Sequence, residues 1–438
     1  MSRLNFVSHP VHSIKGEITV PGDKSISHRS IIFGALAKGI TRVNGFLDGE
    51  DCLATLKAFK AMGVVIEGPH EQEVIIHGAG KYGLSKPEVV LDCGNSGTSM
   101  RLLAGLLAAQ NFDSQLTGDE SLLKRPMLRI SKPLTQMGAV VATHDGKPPI
   151  VLTGGNKLKA IDYVMPEASA QVKSCILLAG MYAEGTTSIT ETGVSRDHTE
   201  RMLKTFSYPV AISKNNIKID AKSECHGTDI TVPGDISSAA FFIVAATIIP
   251  GSDLLIRNVG VNPTRTGVIH ILKDMGANIT LLNQRFYGEE PVADLRIKSA
   301  KLKGIKIDES MVPLAIDEFP ILFIAAACAE GQTILHGARE LRLKESDRIG
   351  AMAKGLDKLG VVTKVFDDGI QIDGGIVQGG EVDSLGDHRI AMSFAIAGAI
   401  AKQSITVTNC ANVATSFPDF VLTANTVDFR IEDIIDNV

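Results

Sequence analysis

The chain has 438 residues, too many for one hydrophobic core, and its 44% apolar and 21% charged content excludes extensive disorder. A net charge of −5 excludes a general affinity for nucleic acid, which needs a broad basic face, so any anion must be held by local clusters of Lys and Arg. Six scattered cysteines (Cys52, Cys93, Cys175, Cys225, Cys328 and Cys410) with no CxxC pair imply free thiols in a reducing compartment and exclude structural zinc.

The N-terminal segment lacks the apolar run of a signal peptide, and the longest apolar stretches, 239–250 and 321–329, are too short to span a bilayer. A cytoplasmic protein without membrane contact is expected. The first predicted helix starts at Asp23, at the end of ITVPGD, and leads through an apolar run to a strand at Thr41. The same grammar returns at Asn95 (GNSGTSMRLLAGLLAAQ), Ser169 (SAQVKSCILLAG), Asp235 (a second ITVPGD), Asp317 (DEFPILFIAAACAEG) and Asp387 (DHRIAMSFAIAGAIA). Starts recurring at roughly 70 residues are too widely spaced for a solenoid, and each interval accommodates a small α/β module.

A second helix inside most modules ends on a glycine before a β-branched strand, at Gly63, Gly138, Gly276 and Gly360. The third module departs, with Phe206-Ser-Tyr-Pro209, and the sixth matches weakly. The predicted fold class is therefore α/β, with two similar domains of three repeats each. The duplicated Pro-Gly-Asp segments near 21–23 and 233–235 are read as two chain crossings. They give one domain of 1–21 plus 235–438 and another of 22–234, the alternative being two consecutive domains.

The duplication also works as an internal control. PGDKSISHRS and PGDISSAAFF both start a helix, so the fold is expected to need none of Lys24, His28 or Arg29. Ser25 and Arg29 lie one turn apart, and Lys24 sits where free backbone N–H groups attract anions. Lys124-Arg125, Ser169-Ala170-Gln171, Arg196, Lys344 with Arg348, and Asp387-His388-Arg389 occupy comparable helix openings. Each alone reads as a cap or a solvated charge; together they imply convergence on one anion-rich cleft. Asp317, Glu318 and Glu345 are carboxylates on this basic background, a potential acid/base set if they share that cleft with Lys24. There is no GxxxxGK[ST] loop, GxSxG elbow or HExxH helix; a metal-dependent phosphotransferase could draw on Asp317-Glu318 and His388 as ligands, but no second motif supports it.

Across nearly its whole length the sequence resembles the 5-enolpyruvylshikimate-3-phosphate synthase family of enolpyruvyl transferases. The motifs that carry the resemblance are PGDKSISHR, GNSGTSMR, KRPM, SAQVKS, RLKESDRI, DHRIAMSF and TSFPDF. It implies an inside-out barrel in each domain, built of three βαβαββ units. It also implies transfer of the enolpyruvyl group of phosphoenolpyruvate to the 5-hydroxyl of shikimate 3-phosphate in the interdomain cleft, with domain closure, toward chorismate and the aromatic amino acids. No metal and no cofactor is implied. The partners would be those two substrates only, with no nucleic acid, and the chain would act as a monomer.

The resemblance implies that Lys24, Gly97, Arg125, Gln171, Arg348 and Arg389 hold phosphoenolpyruvate. It assigns Lys24, Ser25, Arg29, Ser169, Ala170, Gln171, Arg196, Asp317 and Lys344 to shikimate 3-phosphate. Asp317 would take the 5-hydroxyl proton, and Glu345, with Lys24, would manage the proton at the methylene carbon. Three positions depart from one bacterial pattern: Ala170 stands for a serine, Glu340 for an asparagine and Thr415 for a lysine. A second branch of the family shares these changes; it often carries Ala at the place of Gly97, whose missing side chain leaves room for glyphosate. The competing readings are the sister transferase that uses UDP-N-acetylglucosamine, whose cysteine is absent from the loop 116–125, and a non-catalytic scaffold for phosphorylated ligands.

Overall fold

The capping residues that punctuate the sequence set six core helices: α1 (Lys24–Leu36), α2 (Gly97–Leu107), α3 (Ala170–Gly180), α4 (Ile236–Ile248), α5 (Phe319–Ala327) and α6 (His388–Gly398). The computed structural model describes residues 3–436. Their N-caps are Asp23, Ser96, Ser169, Asp235, Glu318 and Asp387. Five of the six caps accept a backbone N–H with their own side chain, which satisfies one of the donors that a helix start leaves open. Glu318 does not, and Pro320 in the first turn of α5 instead removes a donor.

These helices are buried on nearly every side; all of α4 and α5 lies in the core. A helix apolar all round must be enclosed, and the enclosing material is sheet. Helix α2 packs on α3 so closely that a Cβ at Gly105 would lie 2.2 Å from the carbonyl oxygen of Cys175. A side chain there would force the two helices apart.

Six sheets accompany the six helices, and they share one plan: a parallel pair followed by an antiparallel strand. In one sheet Leu91–Asp92 runs parallel to Ser114–Thr117, which pairs antiparallel with Lys147–Thr153. Strand burial alternates along Lys147–Thr153, with Ile150 and Leu152 inward and Val151 outward, so the sheets keep one face to solvent. The N-terminal strands complete sheets formed by the end of the chain: Arg3–Ser8 lies between Ile405–Thr408 and Ile431–Asp436, and Lys15–Thr19 pairs parallel with Asp253–Gly260. In the fifth sheet the parallel edge is reduced to two bridges, Lys303 with Glu330 and Lys306 with Ile334.

The left-handed turn after each second helix recurs in all six modules. Gly63, Gly138, Gly276 and Gly360 have φ of 87°, 94°, 102° and 79°. Ser207 (φ 60°) serves the third module and Asp428 (φ 70°) the sixth. Short polar side chains tolerate this conformation, which is why the glycine signal disappears there without loss of the turn.

The chain divides into two compact units. One comprises the described residues up to Pro21, Pro233–Phe286 and the described residues from Pro291 onward; the other comprises Gly22–Val232 with Tyr287–Glu290. The tip of the hairpin Asn278–Tyr287/Glu290–Lys298 thus belongs to the second unit. Among the described residues no helix is long and apolar enough to cross a membrane, and all six cysteines are free.

Candidate active site

Each unit gathers charged side chains at the N-terminal ends of its core helices. In the unit Gly22–Val232, Lys24 is the first residue of α1 and its ammonium pairs with Asp51, which is buried in the first turn of the helix Glu50–Ala61. Arg29 is only 3% exposed. It donates from Nε to Thr199 Oγ1 (2.7 Å), from Nη2 to Ser174 Oγ (2.8 Å) and from Nη1 to the Ser25 carbonyl (2.9 Å). His28 is fully enclosed and bonds Thr55 Oγ1 through Nδ1 at 2.8 Å. Burial, then Lys24 and Arg29 beside it, holds its pKa well below the ordinary 6.5.

His28 and Arg29 are therefore buried in hydrogen-bonded settings, although the sister helix forms without them. The sister helix α4 fills the equivalent volume with Ala240 and Phe241, whereas α1 fills it with a hydrogen-bonded polar core.

Helices α2 and α3 supply the rest of this half. Arg101 donates from Nη1 to Gln171 Oε1 at 2.5 Å, and Gln171 Nε2 donates to Thr98 Oγ1 at 3.0 Å. Arg125 donates from Nη2 to Asn95 Oδ1 (2.6 Å), and Asn95 in turn donates to Asp119 (2.6 Å). Gly97 lies between these two arginines: a Cβ there would be 2.8 Å from Arg101 Nη1 and 3.3 Å from Arg125 Nη1. Ser169 caps α3, accepting from Val172 N at 3.4 Å, and Ala170 is the first residue of that helix. Arg196 lies half-buried in the loop between Thr186–Thr190 and the helix His198–Thr205.

The other unit centres on Arg348, which is 1% exposed. Its Nε donates to Asp387 Oδ2 at 2.9 Å, its Nη2 to Glu345 at 2.5 Å and its Nη1 to Asp317 at 3.4 Å. Burial opposes the guanidinium charge, yet the three carboxylates outweigh it and push the pKa up. Burial also opposes the Asp387 carboxylate, and Arg348 beside it prevails, holding it below the ordinary value of 3.8. Lys344 Nζ lies 3.3 Å from Asp317 and 3.6 Å from Glu340. Arg389 donates to the Asp317 carbonyl at 3.0 Å and lies 3.8 Å from Glu318. Thr415, the position where a lysine was the alternative, is 3% exposed and its hydroxyl bonds the Asn412 carbonyl at 2.7 Å.

Asp51, Arg101, Ser237 and Arg265 are not picked out by the sequence, whereas Glu318 is. Asp51 pairs with Lys24, and Arg101 lies four residues after Gly97 inside GNSGTSMR. Glu318 is fully enclosed; it accepts from Ser237, whose hydroxyl also accepts from Arg265 at 2.7 Å. Its Oε2 makes no hydrogen bond. Helix α4, the silent copy of α1, thus sends its own polar first turn toward the residue that neighbours Asp317. Among the described residues no group of three or more His, Cys, Asp or Glu is placed to hold a metal ion.

The family model for EPSP synthase (3-phosphoshikimate 1-carboxyvinyltransferase) matches residues 9–423. The 3-phosphoshikimate 1-carboxyvinyltransferase of Legionella pneumophila is 74% identical over 430 residues, covering 98% of this chain and 99% of the relative. That of Methylococcus capsulatus is 60% identical over 428 residues, 98% of each chain. Among solved structures, EPSP synthase from Acinetobacter baumannii matches with a TM-score of 0.89 and 56% identity over 98% of this chain and 100% of that one. The enolpyruvyl transferase NikO from Streptomyces tendae shares the fold, with a TM-score of 0.81 at 17% identity over the whole of both chains.

Proposed function

The chain belongs to the EPSP synthase (3-phosphoshikimate 1-carboxyvinyltransferase) family, and on that premise we propose that it transfers the enolpyruvyl group of phosphoenolpyruvate to the 5-hydroxyl of shikimate 3-phosphate. The products are 5-enolpyruvylshikimate 3-phosphate and inorganic phosphate, and the pathway served is aromatic amino-acid biosynthesis through chorismate. The six free thiols support a reducing, cytoplasmic setting.

The reaction runs by addition and elimination. The 5-hydroxyl oxygen bonds to C2 of phosphoenolpyruvate while a proton adds to C3, giving a tetrahedral intermediate that still carries its phosphate. Loss of a proton from C3 and departure of phosphate restore the double bond. Asp317 takes the hydroxyl proton. Glu345 serves the proton at C3, and Lys24 takes part in that transfer. Arg125, Arg348 and Arg389, with Lys24, Gly97 and Gln171, hold phosphoenolpyruvate. Ser25, Arg29, Ser169, Ala170, Gln171, Arg196 and Lys344, with Lys24 and Asp317, hold shikimate 3-phosphate. Fixed cations position these anions and stabilise charge as it develops, which is where such sites gain most of their rate.

The observation that supports these roles best is the setting of Arg348. Asp387 locks the guanidinium from Nε, and the same group then fixes both Glu345 and Asp317. Two candidate proton-transfer carboxylates are thereby anchored to one buried cation, so each is held in orientation before substrate arrives. The test is steady-state phosphate release with both substrates and without added metal. Release that requires both supports the proposal. No release with shikimate 3-phosphate, but release with UDP-N-acetylglucosamine, would replace it.

A further inference from the structure

Beside the hydrogen bonds of Arg29 to Ser174 and Thr199 lies a charged group assigned to neither substrate. Lys173, on α3, has no exposed surface. Its ammonium lies 2.7 Å from Glu200 and 3.1 Å from Glu191. A fully buried lysine needs such partners, but a buried ion pair contributes little net stability compared with apolar packing. Its value lies in fixing an arrangement.

The arrangement it fixes is identifiable. Glu191 closes the loop that carries Arg196: its carboxylate accepts from Ser195 Oγ at 2.5 Å, and its backbone is tied to Asn215 through Glu191 N to Asn215 O (2.8 Å) and Asn215 Nδ2 to Glu191 O (2.8 Å). Glu200, the other partner, lies in the first turn of the helix His198–Thr205, immediately after that loop. The neighbours of the ion pair repeat the link one residue along. Ser174, next to Lys173, and Thr199, next to Glu200, share a hydrogen bond of 2.7 Å. Both hydroxyls also accept from Arg29. One buried network therefore joins the start of α3, where Ser169 and Gln171 stand, to Arg29 on α1 and to the Arg196 loop.

We propose that Lys173 is a positioning residue for shikimate 3-phosphate: through Glu191 and Glu200 it sets the Arg196 loop against α3, so that three helix openings present their donors as one preformed anion site. The inference rests on the enolpyruvyl-transfer reading and extends it to a residue that touches no substrate. It predicts a selective effect. Losing Lys173 releases the loop that meets shikimate 3-phosphate and leaves the phosphoenolpyruvate contacts of Arg125 and Gly97 in place.

The experiment compares wild type, Lys173→Met, Glu191→Gln, Arg196→Ala and the Lys173→Met/Arg196→Ala pair. KM for each substrate is measured at saturating co-substrate, with thermal unfolding recorded for every variant. Lys173→Met and Glu191→Gln are each expected to raise KM for shikimate 3-phosphate roughly tenfold and to change KM for phosphoenolpyruvate by less than about twofold. Added to Arg196→Ala, Lys173→Met is expected to raise KM little further, because both act on one contact. An equal change in both KM values, a loss confined to kcat, or full additivity with Arg196→Ala would overturn the positioning role. If Lys173→Met is unfolded at the assay temperature, Glu191→Gln, which keeps the lysine, decides by the same ratio. A folded wild type without turnover would instead overturn the enolpyruvyl-transfer reading itself.

Discussion

Replacing Gly97 with alanine adds one methyl group between Arg101 and Arg125 at the N-terminal end of α2, the end proposed to meet phosphoenolpyruvate. The new Cβ would stand 2.8 Å from Arg101 Nη1 and 3.3 Å from Arg125 Nη1, where ordinary contacts begin near 3.5 Å. Arg101 cannot swing aside freely, because it is 7% exposed and its Nη1 is bonded to Gln171 Oε1 at 2.5 Å. The strain therefore passes to Arg125, assigned to phosphoenolpyruvate, and to Gln171, assigned to both substrates. Overpacking of this kind costs about 1–3 kcal/mol, and 1.4 kcal/mol is tenfold in an equilibrium. KM for phosphoenolpyruvate should rise between about fivefold and a hundredfold, with KM for shikimate 3-phosphate rising less, since only Gln171 of the two strained residues meets it. The assay is phosphate release with one substrate varied and the other saturating. A Gly97→Ala enzyme with unchanged KM for phosphoenolpyruvate, beside an Arg125→Ala enzyme in which it is raised, would refute the reasoning about this contact.

Asp317→Ala should fold and bind both substrates yet turn over about 10²–10⁴-fold more slowly if Asp317 is the proposed general base; near-normal turnover in a rapid-quench assay would remove it from the proton-transfer role. Arg348→Met leaves Asp387 buried without its main counter-charge and should lower the unfolding free energy by about 3–5 kcal/mol in urea titrations. His28 is neutral in the folded chain because its pKa lies well below 6.5, whereas the unfolded chain takes up a proton there. The His28 contribution is therefore intact above pH 6.5 and falls by about 1.4 kcal/mol per pH unit as the pH drops toward the folded pKa. Urea midpoints measured across that window for wild type and His28→Asn should diverge in slope; parallel curves would contradict it. Glu318→Gln should weaken the hold on Arg389 and raise KM for phosphoenolpyruvate severalfold without altering that for shikimate 3-phosphate.

The core-helix starts were legible because each is written in local chemistry. The predicted starts at 23, 169, 235 and 387 are the observed N-caps, and those at 95 and 317 precede Ser96 and Glu318 by one residue. The turns of the third and sixth modules were not legible, since Ser207 and Asp428 adopt the left-handed conformation that elsewhere announces itself as glycine. The broken edge of the fifth sheet was hidden for another reason: two bridges at Lys303 and Lys306 leave no strand-length pattern. Residues expected to touch anions stood out as basic groups at helix openings. Their supports did not, because each support meets its partner across the fold. Arg101 and Gln171 are 70 residues apart, and Ser237 and Glu318 are 81 apart. Lys173 illustrates the difficulty best: in sequence it is one polar residue in SAQVKSCILLAG, and only packing reveals it between two glutamates.

The most direct test is to run the complete reaction in heavy water and examine the product by mass spectrometry. Addition and elimination place a solvent hydron on C3 of phosphoenolpyruvate and then remove one of the three hydrogens there. The enolpyruvyl ether of shikimate 3-phosphate should therefore form with one phosphate released per ether and with deuterium in its vinyl methylene. An ether free of deuterium would contradict the addition step, and phosphate release without any ether would contradict the assignment of this chain to enolpyruvyl transfer.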